Sequence, residues 1–196
     1  MDRKSTVERK TKETDIIISL DLDGKGVTEI ETGIPFFDHM LTLMAAHGFM
    51  DLKISAEGDT DIDYHHTIED LGICLGKAIK KALKEKQGIK RYGQSAVPMD
   101  EALANVVIDI SNRPFLAYQV SIKNSKAGKF DINLVEEFFR ALVNSSGITL
   151  HIILISGKDA HHVAESIFKA FGRAIDQACA IDDRLGDSVP STKGLL

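Results

Sequence analysis

Tryptophan is absent from this chain of 196 residues, and cysteine occurs only twice. Cys74 and Cys179 form no CxxC pair, which excludes a thiol-rich zinc site; two buried thiols in a reducing compartment are expected instead. No apolar run approaches the roughly 18 residues that a membrane span requires. The opening MDRKSTVERKTKET lacks an apolar h-region, so no secretory signal is expected and a cytoplasmic location is. Basic charge is also short. A net charge of −5, with no long stripe of Lys and Arg, argues against nucleic-acid and membrane partners. What is left, 43% apolar and 27% charged, is an ordinary globular balance with enough apolar material for a core.

Histidine is scarce too, yet four of the 7 residues fall in two boxes of one form. These are His65-His66-Thr67-Ile68-Glu69 and His161-His162-Val163-Ala164-Glu165, each opening an apolar-periodic helical stretch. The likeness extends past the boxes. Shifted by 96, HHTIEDLGICLGKAIKKAL (65–83) lies over HHVAESIFKAFGRAIDQAC (161–179), and Gly76, Ala78, Ile79 and Ala82 recur as Gly172, Ala174, Ile175 and Ala178. Upstream, FFDHMLTLMAAHGFMDLKI (36–54) resembles LVEEFFRALVNSSGITLHI (134–152) with a shift of 98, pairing His39 with Glu137, Leu52 with Leu150 and Ile54 with Ile152. A period near 100 is too long for a solenoid and indicates two homologous halves. The cysteines do not share a repeat position.

The expected fold class is α+β: two sheet-and-helix halves, approximately 1–90 and 91–182, related by duplication and packed as one domain (1–196), with an irregular tail at 183–196. Strands are expected at 3–12 and 14–22, then a hairpin turn at Asp23-Gly24-Lys25-Gly26 leading to a strand at 27–31. Pro35 starts a helix ending at Gly48 as a C′ residue, followed by a strand at 49–57, an Asp- and Gly-rich loop and the first box helix. Strands at 92–98, 103–111 and 114–122 precede a helix at 132–146, a strand at 148–156 and the second box helix at 160–180.

Imidazole and carboxylate are natural ligands for Mn, Fe, Zn or Co. On a helix, His65 and Glu69 are i, i+4 and face the same way, whereas His66 is rotated by about 100° and suits a second ion. His161 and Glu165 form the matching pair, with His162 left over. The simplest solution is reciprocal, each ion taking a His/Glu pair from one half and the lone His of the other. The preceding helices add one ligand each. Site one is then His39, His66, His161 and Glu165; site two is His65, Glu69, Glu137 and His162. Four N/O ligands leave positions open for substrate or water. Taken singly, each of these histidines is a surface or capping residue; their duplication favours metal. Glu137 can also be read as a solvated helix face beside Glu136. His151 reads as a satisfied histidine buried in a strand, and His47, beside Gly48, as a partner of the helix dipole.

A phosphate-binding set is visible beside the metal residues. Arg91 and Arg113 stand at strand beginnings, Lys169 lies one turn beyond Glu165, and Pro190-Ser191-Thr192-Lys193-Gly194 offers hydroxyls, an ammonium and amides.

Over essentially its whole length the chain resembles the imidazoleglycerol-phosphate dehydratases. The matching segments are Arg9-Lys10-Thr11-Lys12-Glu13-Thr14, Phe36-Phe37-Asp38-His39-Met40-Leu41 with His47-Gly48, Asp63-Tyr64 with the first box and Asp70, Arg91-Tyr92-Gly93, Arg113-Pro114, Val135-Glu136-Glu137-Phe138-Phe139, the second box with Lys169, and the Pro190-to-Gly194 tail. The resemblance implies a monofunctional hydro-lyase of histidine biosynthesis, the length leaving no room for the phosphatase domain fused to it in some bacteria. It also implies two Mn²⁺ ions per subunit, bound between neighbouring subunits of a homo-oligomeric shell of twenty-four. Its ligands fall on the eight residues above, Glu137 standing where several members have His. Glu13 corresponds to the acid/base carboxylate, and Glu13, His47, Arg91, Arg113, Lys169, Ser191, Thr192 and Lys193 to substrate-binding positions, Thr192 replacing the usual Ser.

The reaction explains the metals. The substrate loses hydroxide from the carbon attached to the imidazole ring and a proton from the next carbon, and no carbonyl acidifies that proton. A metal on a ring nitrogen is expected to stabilise an imidazolate that expels the hydroxyl through a diazafulvene-like intermediate, worth several kcal/mol. Two other classes stay open: a binuclear metallohydrolase acting on a small phosphate ester, and a non-catalytic assembly protein linked by metal.

Overall fold

The computed structural model describes residues 2–194. Ten strands and four long helices follow in the order β1 (Lys4–Lys10), β2 (Thr14–Asp21), β3 (Thr28–Glu31), α1 (Pro35–His47), β4 (Asp51–Gly58), α2 (His65–Leu83), β5 (Tyr92–Met99), β6 (Ala102–Asp109), β7 (Phe115–Gln119), β8 (Lys126–Ala127), β9 (Phe130–Asp131), α3 (Asn133–Ser146), β10 (Thr149–Ser156) and α4 (Ala160–Cys179). The α+β class is as expected, and the duplication is complete at the level of topology. One sheet runs β1-β2-β4-β3 and the other β5-β6-β10-β7. In each, the central pair is antiparallel and the last strand joins parallel.

Period-two alternation builds both sheets. Ile16, Ile18 and Leu20 of β2 point inward opposite Leu52 and Ile54 of β4, and Ala104, Val106 and Ile108 of β6 do so opposite Leu150 and Ile152 of β10. One face of each sheet is covered by helices, α2 on β1 and β2 and α4 on β5 and β6, and the helices pair across the halves: α1 packs on α4, and α2 on α3. Their shared centre is aromatic. Phe37, Phe138 and Phe168 lie with ring centroids 5.1–5.8 Å apart, and Phe139 meets Phe171 at 5.0 Å.

The recurring glycines Gly76 and Gly172 allow this pairing. A Cβ on Gly172 would overlap the Met44 carbonyl oxygen of α1, and one on Gly76 would overlap the Leu142 carbonyl oxygen of α3. Backbone on both sides leaves nothing to yield, so Gly172→Ala is expected to destabilise the protein by about 1–3 kcal/mol. Thermal melting checks this; an unchanged melting temperature would mean that α1 and α4 separate freely.

Several expectations need correction. The turn at 23–26 does not make a β2–β3 hairpin, because β4 lies between the two strands and β3 joins it in parallel. The Asp51 carboxylate accepts the N–H groups of Lys25 (2.7 Å) and Val27 (2.9 Å), folding that segment over the start of β4. Gly48 caps α1 with φ −95°, not in the left-handed region; the positive φ falls on Phe49. Glycine is required at 48 because a Cβ would press on the Gly172 carbonyl oxygen. His151 is half-buried on the open face of its sheet, its ring 5.8 Å from that of Phe115, and is not a buried, satisfied histidine. The strands expected at 3–12 and 114–122 are shorter than anticipated, and the β8–β9 ribbon was not foreseen. Cys74 and Cys179 are buried free thiols, their pKa values pushed up by burial to about 11 and about 12.

Candidate active site

An aspartate two residues before the first histidine accepts that histidine's N–H in both boxes, though only Asp159 stands at the N-cap of its helix. The Asp63 carboxylate accepts the N–H of His65 at 2.7 Å, and that of Asp159 accepts the N–H groups of His161 (2.8 Å) and His162 (3.2 Å). Capped so, the first turn of α4 presents His161 and Glu165 on one side, and the α1–α4 packing brings His39 to them. The Nε2 atoms of His39 and His161 converge on Glu165 Oε1 at 3.2 and 2.9 Å. These three donors lie within 4.8 Å of one another, the one such group among the described residues. Burial would raise the Glu165 pKa, but Lys169 at its other oxygen, together with His39 and His161, holds it down to about 2. An ionised carboxylate between two imidazoles suits a borderline-hard divalent ion such as Mn²⁺.

The other five proposed ligands are not gathered in this way. His65 Nε2 lies 3.7 Å from Glu69 Oε2, as their spacing requires. Glu137 sits on α3, which faces α2 as α1 faces α4, but it lies 3.8 Å from Arg140 and does not complete a triad. His66 and His162 stand apart, each tied to a carboxylate through Nδ1: Asp59 at 2.9 Å and Glu101 at 2.8 Å. Those hydrogen bonds raise the pKa of both imidazoles. Two backbone N–H groups and His162 lower that of Glu101 to about 2.

Five of the six residues expected to hold phosphate line one cleft of about 780 Å³. Arg91, Arg113, Ser191, Thr192 and Lys193 line it, because the tail folds back over the start of β5. Arg91 donates Nη1 to the Pro190 carbonyl at 2.9 Å, holds Asp109 through two nitrogens at 2.6 and 3.1 Å, and lies 4.8 Å over the Tyr92 ring. The exposed Arg113 also pairs with Asp109, its Nη2 lying 3.7 Å from that carboxylate. Residues 195 and 196 of the tail lie outside the described residues.

Lys169 does not reach this cleft; it is ion-paired with Glu165 and 3.4 Å from Met99 Sδ. Burial and the charges of Lys169 and Arg173 lower the His47 pKa, which opposes the charged form that a helix dipole would favour. Glu13 is exposed in the β1–β2 turn, and its charge is felt by His66. That turn is held to the first box helix by buried Asp70, which pairs with Arg9 at 2.8 Å and accepts the Thr14 hydroxyl at 2.5 Å. Asp59, Glu101 and Asp109 escaped sequence reasoning, since none lies on a box helix where spacing would have marked it, and Asp70 was read only as the end of a matching segment.

The chain is similar in sequence and fold to known proteins. Residues 32–175 match the family profile described as Imidazoleglycerol-phosphate dehydratase. The protein of that name from Geobacter sulfurreducens is 55% identical over 196 residues, all of both chains. That from Prochlorococcus marinus subsp. pastoris is 56% identical over 99% of this chain and 96% of its own. Among solved structures, the Staphylococcus aureus imidazoleglycerol-phosphate dehydratase is 42% identical with a TM-score of 0.83, covering 91% of this chain and 99% of that one. IGPD from Pyrococcus furiosus is 39% identical with a TM-score of 0.85, covering 97% and 100%. This chain belongs to the imidazoleglycerol-phosphate dehydratase family.

Proposed function

We propose that this hydro-lyase of histidine biosynthesis converts D-erythro-imidazole glycerol phosphate to imidazole-acetol phosphate with two Mn²⁺ ions per subunit, each held by residues from two copies of the chain in a homo-oligomer of twenty-four. The supporting observation is the triad His39, His161 and Glu165, whose donors converge but stop at three among the described residues. His66, the fourth donor proposed for that ion, is hydrogen-bonded to Asp59 of its own half and is free to serve another copy. His65, Glu69, Glu137 and His162 form the second set by the pseudo-symmetry of the halves.

Bound there, Mn²⁺ would supply a Lewis acid for the imidazole ring of the substrate. The chain's own groups do the rest. Arg91, Arg113, Ser191, Thr192 and Lys193 hold the phosphate and so fix the carbon chain. Glu13 takes the proton from the carbon next to the one losing hydroxide, giving an enol that becomes the ketone by protonation on the carbon attached to the ring. Lys169 keeps Glu165 ionised as a ligand.

The test is steady-state dehydration of imidazole glycerol phosphate by the Mn²⁺-loaded protein, beside phosphate release from a model ester. Ketone formation without phosphate release supports the reading; phosphate release alone would make the protein a metallohydrolase. Within that assay, Arg91→Ala removes a charge-assisted hydrogen bond to phosphate, worth about 1.5–3 kcal/mol or roughly 10- to 100-fold in affinity, together with the Asp109 pair and the Pro190 contact that hold the tail at the cleft. KM is expected to rise by at least that factor while kcat falls less. An unchanged KM would place the phosphate elsewhere.

A further inference from the structure

The hairpins β1–β2 and β5–β6 match residue for residue. The pair Lys4↔Asp21 corresponds to Tyr92↔Asp109, and Lys10↔Asp15 to Pro98↔Leu103, at a constant offset of 88. The offset also sets Arg3 on Arg91: Leu22 donates its N–H to the Arg3 carbonyl, as Ile110 does to that of Arg91, both at 3.1 Å. At the hairpin tips it sets Glu13 on Glu101, each one residue before its second strand begins.

These two carboxylates occupy one place in the fold and are used differently. Glu101 is held. Its Oε1 accepts the N–H groups of Lys158 (3.0 Å) and Asp159 (2.9 Å), and its Oε2 lies 2.8 Å from His162 Nδ1. Glu13 is held by its backbone, through Thr11 Oγ1 and the N–H of Asp59, both at 3.1 Å. In its half the contact to the lone histidine comes from Asp59 Oδ2, 2.9 Å from His66 Nδ1. Asp59 has no counterpart in the second half, because the 98-residue offset of β4 and β10 carries it to Gly157. The same contact, a carboxylate on Nδ1 of the histidine left over by each box, has thus been built twice from non-equivalent residues.

We propose that Glu13 and Glu101 descend from one duplicated carboxylate, and that Glu101 is a positioning residue which fixes the proton of His162 on Nδ1, so that Nε2, 3.8 Å from the exposed Asp100 carboxylate and beyond its hydrogen-bond reach, keeps the lone pair for a metal ion. Asp59 does the same for His66, and so leaves Glu13 available to substrate. The chemistry is strict: an ionised carboxylate only accepts, so the nitrogen facing it must carry the proton, and a neutral imidazole has one N–H. A carboxylate at that position also raises the basicity of the ligating nitrogen. The inference rests on the reading of His162 as a ligand.

Glu101→Gln tests it. The one amide oxygen is needed by the two backbone N–H groups, so the amide NH₂ faces Nδ1 and drives the imidazole proton onto Nε2. Metal-free Glu101→Gln is expected to melt like the parent, with the ¹⁵N spectrum of His162 changed from the Nδ1–H to the Nε2–H form. Calorimetric titration with Mn²⁺ should show one equivalent bound as in the parent and the other weakened roughly 10- to 100-fold. Glu13→Gln should bind both equivalents normally. Two full-affinity equivalents in Glu101→Gln, with His162→Ala losing one, would overturn the inference and leave the ligand reading intact. Two equivalents retained by His162→Ala would remove the ligand reading and the inference with it. Should Gln instead loosen the start of α4, seen as a lower metal-free melting temperature, Asp59→Ala carries the test at His66. There no backbone N–H depends on the carboxylate among the described residues, and parental Mn²⁺ binding would overturn the inference.

Discussion

Glu13→Gln should lower kcat by about 10²–10⁴ while substrate and Mn²⁺ still bind. The substitution keeps the size and polarity of the side chain and removes only its basicity. The turn will not collapse with it, because Glu13 is fixed through its backbone and through the Thr14 hydroxyl on Asp70, not through its own carboxylate. The carboxylate is exposed in the chain, as a group that must reach a substrate requires. Steady-state kinetics with metal content checked first gives the answer. Near-parental turnover would move the proton transfer to another group.

If the ions sit between copies of the chain as proposed, chelation should abolish activity and break the assembly into small oligomers, with Mn²⁺ restoring both. The reason is the incomplete triad: if His66 of another copy completes the group around His39, His161 and Glu165, the metal is part of the subunit contact. Acid should act in the same direction. A histidine ligates only when neutral, and the hydrogen bonds to Asp59 and Glu101 raise the pKa values of His66 and His162 above that of a free imidazole. Protons therefore compete with metal from a higher pH than for a free imidazole; affinity is full above the raised pKa and is lost as pH falls through it. Light scattering and Mn²⁺ titration at two pH values measure both effects. A large particle persisting in fully metal-free protein would put the subunit contacts elsewhere.

The long-range part of this fold was legible where the two halves kept their letters. Gly76 and Gly172 persist because helix backbones touch there, and the box residues persist in kind, so the helices align by eye. The hairpins do not. KSTVERK and YGQSAVPM share no residue in register, and only the pairing of β1 with β2 and of β5 with β6 reveals that Glu13 and Glu101 are counterparts. β3 was misplaced for a related reason. A four-residue strand carries too little pattern to name its partner, and that choice is made by β4, more than twenty residues downstream. The 120–132 segment holding β8 and β9 is what lengthens the offset from 88 to 98, an insertion visible only once the strands are placed. Within the site, i, i+4 spacing placed His161 with Glu165, and the repeat correctly suggested the neighbouring helix as the source of His39. Carboxylates that act by contact across the fold, such as Asp109 on Arg91, leave no such trace.

The pairing of helices across the halves has a consequence for the nascent chain. When α1 leaves the ribosome, Phe37, Met40, Leu41 and Met44 have no α4 to lie against, and α2 waits likewise for α3. At a synthesis rate of about 5–20 residues per second, the residues through 179 follow α1 by roughly 10 s. Over that interval α2 can lie on β1 and β2 and α1 beside β3, but the helix faces that α3 and α4 will cover stay open to water. Chaperone occupancy on the translating chain should therefore begin with α1 and end only when α4 emerges, which makes the last helix the step that closes the core.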